Sequence, residues 1–235
     1  MRGPRLLAAA ALAAVALQAA GTAGRADQAP PGPFPSPSPS AMPAAGNGYV
    51  ALSFSSANSS GGQIPGGVPG RPVPFVSAGA GGFSLDALGR ISETYLAALT
   101  YDSYTVRGDD RPFVSYSQGM LLFNPHGSNL AAGLGYLSMQ RSTASVNMNG
   151  PGIGACLLPQ FRQGASLYAS AFFYPRLSSA NGAASLTSVD AGLVFSPPKR
   201  GGFFYRVGAF TKNGGGAGFS PTQISGITAG IGAAF

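Results

Sequence analysis

Six charged residues set among alternating segments, Arg206, Arg176, Asp190, Arg141, Glu93 and Asp102, are the first place to look for chemistry in this chain. Counted by period-2 parity, Arg206, Arg176 and Asp190 fall on the face opposite the apolar one in three neighbouring segments. Arg141, Glu93 and Asp102 come from less regular stretches. Charges of both signs on one wall can select or gate ions. They can also pair with one another and fill a narrow interior, and the fill expected of a small closed sheet favours pairing. Enzyme chemistry has less to work with, because acid–base and nucleophilic mechanisms generally need a His with a carboxylate or Ser partner. The single histidine, His126, stands in a Pro/Gly turn, Asn-Pro-His-Gly-Ser. Asp109 and Asp110 form a carboxylate pair in Arg-Gly-Asp-Asp-Arg-Pro, which could bind a cation but more simply keeps a turn soluble. The glycine run from Gly214 is not followed by Lys-Ser/Thr, so it is no phosphate loop. Cys156 is alone, which removes both a disulfide framework and a cysteine metal site. Arg107-Gly108-Asp109 matches a tripeptide that some receptors read, yet three residues are too short a match to carry a function. No catalytic residue, metal or cofactor is expected.

What must position these residues begins with an exported chain. Arg2 and Arg5 precede an Ala/Leu/Val run from Leu6 to Leu17, and small residues follow to Ala26. This is the build of a secretory signal over 1–24, with an apolar core too short to span a bilayer. Residues 25–46 are rich in Pro, Ser and Ala and read as an extended linker, since proline removes donors and fixes φ. The domain proper is 47–235. Its basic residues are scattered, which does not suggest a nucleic-acid patch. Only 9% of the 235 residues are charged while 45% are hydrophobic. A soluble domain usually carries about 25% charge, and a disordered one far fewer apolar side chains.

No apolar run after the signal reaches membrane-helix length. Alternation recurs instead, most cleanly at the C-terminus. Ile227, Ala229, Ile231, Ala233 and Phe235 alternate with Gly226, Thr228, Gly230, Gly232 and Ala234. Phe203, Tyr205, Val207 and Ala209 likewise alternate with Phe204, Arg206, Gly208, Phe210 and Lys212. The pattern predicts ten strands, at 48–57, 73–84, 91–106, 112–123, 129–142, 152–161, 165–177, 184–196, 202–212 and 224–235. Eight is the fallback, because 73–84 barely alternates. Short turns at 86–90, 124–128, 162–164 and 197–201 alternate with mostly longer connections at 58–72, 108–111, 143–151, 178–183 and 213–223. That asymmetry is expected of an outer-membrane barrel, and an even strand count puts both chain ends on the short-turn, periplasmic side.

The expected fold is therefore all-β, an antiparallel up-and-down transmembrane β-barrel. A closed sheet satisfies every backbone group in lipid. A soluble β-sandwich would alternate too, but would load its polar face with Lys, Glu and Asp. Aromatics near strand ends, including Tyr49, Phe75, Phe83, Tyr104, Phe113, Phe123, Phe161, Tyr174, Phe195, Phe203 and Phe235, are candidates for interfacial girdles. With Ile227, Ala229, Ile231 and Ala233 leading to Phe235, the last strand resembles the terminal strand of bacterial outer-membrane barrels; Ala233 stands where members often have an aromatic. The resemblance implies partners in the barrel-insertion machinery, periplasmic chaperones and outer-membrane lipid. It implies a structural barrel or small-solute pore with a narrow or plugged lumen. The alternatives are an adhesin or binding protein acting through its outer loops and, with less support from the sequence, a soluble secreted β-sandwich.

Overall fold

A computed structural model describes residues 48–60, 77–106, 114–125, 128–141, 146–161, 164–179, 182–197, 202–216 and 219–235. Ten strands run in chain order: β1 Gly48–Ser60, β2 Ser77–Arg90, β3 Tyr95–Val106, β4 Val114–Phe123 and β5 Leu130–Arg141, then β6 Val146–Leu157, β7 Gly164–Ser179, β8 Gly182–Ser196, β9 Phe203–Gly216 and β10 Phe219–Ala234. Each pairs antiparallel with its sequence neighbours, and β1 pairs with β10 from Tyr49↔Ala234 to Ser60↔Gln223, closing the barrel. The closure extends to the last residue. Gly48 N–H donates to Phe235 O at 3.0 Å and Phe235 N–H donates back to Gly48 O at 3.0 Å. Full closure leaves no edge strand to template aggregation.

Alternation fixes which side chains enter the interior. Leu96, Leu122, Leu137, Met148, Leu177 and Ile224 are fully buried there, among a cluster that includes Tyr104, Tyr116, Tyr174 and Phe210. The opposite faces carry Phe54, Leu121, Leu134, Ile153, Leu167, Phe203, Ile227 and Ile231, all exposed on the outside.

Several boundaries differ from the sequence expectation. The segment 86–90, read as a turn, is the end of β2, where Asp86 pairs with Ala51 on β1 and with Thr100 on β3. Glycine-rich stretches expected as connections are wall: Gly150 and Pro151 belong to β6, and β9 runs on to Gly216. Glycines serve here by leaving room for aromatic rings. Tyr168 lies across Gly192 and Gly208 on the next two strands, and a Cβ at Gly192 would sit 2.8 Å from its ring. Among the girdle candidates, Phe83, Phe123, Phe195, Phe203 and Phe235 are exposed on the outer wall. Tyr49, Tyr104, Phe161 and Tyr174 instead pack inward. Phe75, Phe113, His126, the Arg107–Asp110 motif, the signal segment and the linker lie outside the described residues.

Candidate functional site

The interior is crossed by two ion pairs, each joining strands that lie apart around the barrel. Arg206 on β9 is 8% exposed and pairs with Asp86 on β2, and its Nε donates to Ser53 Oγ on β1. Lys212, also on β9, donates from Nζ to Asp102 Oδ2 on β3 at 2.8 Å and to Ser188 Oγ on β8 at 3.4 Å. Their spacing follows from the sequence, since Arg206 and Lys212 are six residues apart on one strand and so point to the same side. Low dielectric strengthens both pairs, and each also meets an aromatic face. The Arg206 guanidinium lies 5.9 Å from the Tyr168 ring centre, and Lys212 Nζ lies 5.0 Å from that of Tyr116. Asp190 faces the same space and accepts from the Tyr168 hydroxyl at 3.4 Å.

Aromatic layers stand above and below this charged belt. At the end that holds Gly48 and Phe235, Phe161 turns in from the β6–β7 connection and packs at 5.5 Å against Tyr49 and 4.8 Å against Phe204. Towards the other end Tyr104 stacks on Phe210 at 5.5 Å, bridging β3 and β9 across the interior. Between them lies a cavity of about 110 Å³, lined by Asp86, Asp102, Asp190, Arg206 and Lys212 among others. Chemically this is a packed, charge-paired interior.

The six charged residues singled out from the sequence have different locations. Arg206, Asp102 and Asp190 lie together around the cavity. Arg141 is half-buried further towards the loop end, beside Tyr116, Met139 and Leu177. Arg176 is exposed on the outer wall rather than inside. An extra residue in β7 shifts the register against both neighbours between Tyr174 and Leu177, so parity counted from Leu167 does not survive past Tyr174. Glu93 sits in the exposed β2–β3 turn, before β3 begins, where its carbonyl accepts from Arg90 Nη1 at 2.7 Å. Sequence reasoning left out Asp86, Lys212, Ser53 and Tyr168. Lys212 and Tyr168 had the right parity and could have been chosen on it, whereas Asp86 was hidden by the turn-like Asp-Ala-Leu-Gly-Arg. Of the terminal-strand residues, Ile227, Ala229, Ile231 and Phe235 are exposed on the outer wall, and Ala233 is half-buried there.

No family model matches the chain, and no curated protein matches it. Among solved structures it is similar to the crystal structure of Neisserial surface protein A (NspA), at 13% sequence identity and a TM-score of 0.39. That match covers 80% of this chain and 97% of the other.

Proposed function

We propose that this chain is an integral outer-membrane barrel whose lumen is closed, and that it serves as a membrane-embedded scaffold for its connecting loops. The observation that carries this reading is the reversed polarity of the wall. The outer faces of all ten strands carry apolar or small side chains through their central parts, while Asp86, Asp102, Asp190, Arg206 and Lys212 face inward. In water such an exterior would be one continuous apolar patch far beyond the few hundred Å² usual for a soluble monomer. In lipid it is the matching surface, and charges belong inside. The signal-like N-terminus and the terminal strand ending at Phe235 support export and insertion, with both chain ends periplasmic.

The closed-lumen part rests on contacts that span the interior, namely Lys212–Asp102, Arg206–Asp86 and the Tyr104–Phe210 stack. An open small-solute pore would need a continuous water path through these groups. Two measurements test the reading. Unboiled protein from outer-membrane fractions should migrate differently on a gel from boiled protein, and recovery as a soluble periplasmic protein with no shift would refute the membrane assignment. Purified barrel in planar bilayers should give no steady conductance, and reproducible open-channel steps would refute the closed lumen.

A further inference from the structure

The β7 bulge has a second effect, on the outer wall. Between Tyr174 and Leu177 the strand holds one residue more than β8 needs, and the same extra residue appears against β6 between Asn149 and Ile153. Pro175 lies in the bulge and Pro151 lies in the matching gap of β6, so neither can donate a ladder hydrogen bond there. The result is an exchange of faces. Leu177 enters the core with 0% exposure, and Arg176 leaves for the outside. Bulges commonly re-aim a side chain in this way.

Arg176 then stands at a definite depth. Leu167, Ala171 and Phe173, with the half-buried Ala169, form the apolar run of β7 below it. From Leu167 to Arg176 the strand climbs roughly 20–25 Å along the barrel axis, at ~3.3 Å per residue and ~40° tilt. An apolar band is about 25 Å tall, so the guanidinium reaches the headgroup level at the loop end. Polar groups accompany it. Asn149 faces Ser178 across the seam, which makes Arg176 its diagonal neighbour on the same outer face. The exposed Tyr136 hydroxyl donates to Asn149 Oδ1 at 2.9 Å, which orients the amide and leaves its NH₂ group as a donor. Among the described residues Arg176 has no ion-pair partner.

We propose that Arg176 and Asn149 hold the phosphate of an anionic lipid headgroup against the outer wall at the β6–β7 seam, an inference that rests on the membrane reading above. A guanidinium offers paired donors matched to phosphate oxygens, and the amide adds one more from the neighbouring strand. Among the described residues, no carboxylate pairs with this cation, which stands exposed beside apolar side chains.

The test uses the full-length folded barrel in neutral detergent, with the gel shift recorded first for each variant. Native mass spectrometry then follows titration with phosphatidic acid, with phosphatidylcholine, and with inorganic phosphate. Wild-type protein should hold one phosphatidic acid at least about tenfold more tightly than phosphatidylcholine, the scale of one charge-assisted contact. Arg176→Gln should erase that preference with the gel shift intact, and Arg176→Lys should keep part of it. Equal retention of phosphatidic acid by a folded Arg176→Gln barrel would overturn the proposal. Displacement of the lipid by an equal concentration of inorganic phosphate would show a free-anion site instead. A wild-type chain with no gel shift would remove the membrane premise itself, which separates that failure from a failure of the site.

Discussion

Replacing Arg206 with alanine tests the interior directly. Its side chain is 8% exposed, and its guanidinium pairs with Asp86, donates to Ser53 Oγ and lies against the Tyr168 ring. Alanine would strand the Asp86 carboxylate, whose side chain is only 15% exposed, while Lys212 remains committed to Asp102. Removing one member of a buried pair costs about 3–5 kcal/mol, because the surviving charge is left without compensation. Loss of the ring contact adds at most about 1 kcal/mol. For a chain of this size, where 1 kcal/mol shifts Tm by about 2–4 °C, the barrel should melt roughly 6–24 °C lower. The double variant Asp86→Leu with Arg206→Met keeps similar volume without charge, and should recover most of the loss. Urea titration in micelles, read by the fraction of gel-shifted barrel, gives the free energies. If Arg206→Ala unfolds within about 0.5 kcal/mol of wild type, or the double variant is no better than the single, then the pair does not hold the walls together.

Other outcomes follow from the wall. Gly208→Ala places a methyl against the Tyr168 hydroxyl and should cost about 1–3 kcal/mol in the same titration, whereas Gly81→Ala, with open space at its Cβ, should change it by less than about 0.5 kcal/mol. Ile227→Arg puts a charge on the outer face midway along β10 and should cost about 2–4 kcal/mol, lowering the gel-shifted fraction; Phe203→Arg, at the rim, should cost about 0–1 kcal/mol. Phe235→Ala removes the ring that packs 3.0 Å from the Cβ position of Gly48, and should reduce the amount of folded barrel recovered from membranes while unfolded precursor accumulates.

How far the sequence disclosed this arrangement depended on what each face carried. In β8, β9 and β10 large apolar residues alternate with Gly, Ser, Thr or charge, so faces assigned by parity match those observed, and Arg206 and Asp190 fell on the right side. In β2 the inward positions are Ala80, Gly82, Ser84 and Asp86, small and polar like a loop, and the alternation that should mark a strand is nearly absent. Aromatic residues misled for a different reason. Phe161 and Phe203 are equally suited to a membrane interface and to a barrel mouth, and only the packing against Tyr49 and Phe204 distinguishes them. The bulge at Pro175 defeats parity outright, since one added residue reverses every later side chain. Partners such as Asp86 and Arg206 required a register between strands far apart in the chain, which no local pattern encodes.

The pairing of β1 with β10 also sets an order of events in time. The seam joins the first strand of the barrel to the last, so no partial product can close into a smaller ring with the same contacts. Until Phe235 has been synthesised, Gly48 lacks its terminal partner and β1 stays open along one side. Such long-range pairing is slow, because the entropy of bringing distant ends together comes before any contact rewards it. A chain without β10 would therefore leave β1 and β9 with unpaired edges, which are templates for pairing with other chains. Closure of this barrel waits on β10, the strand that is completed last.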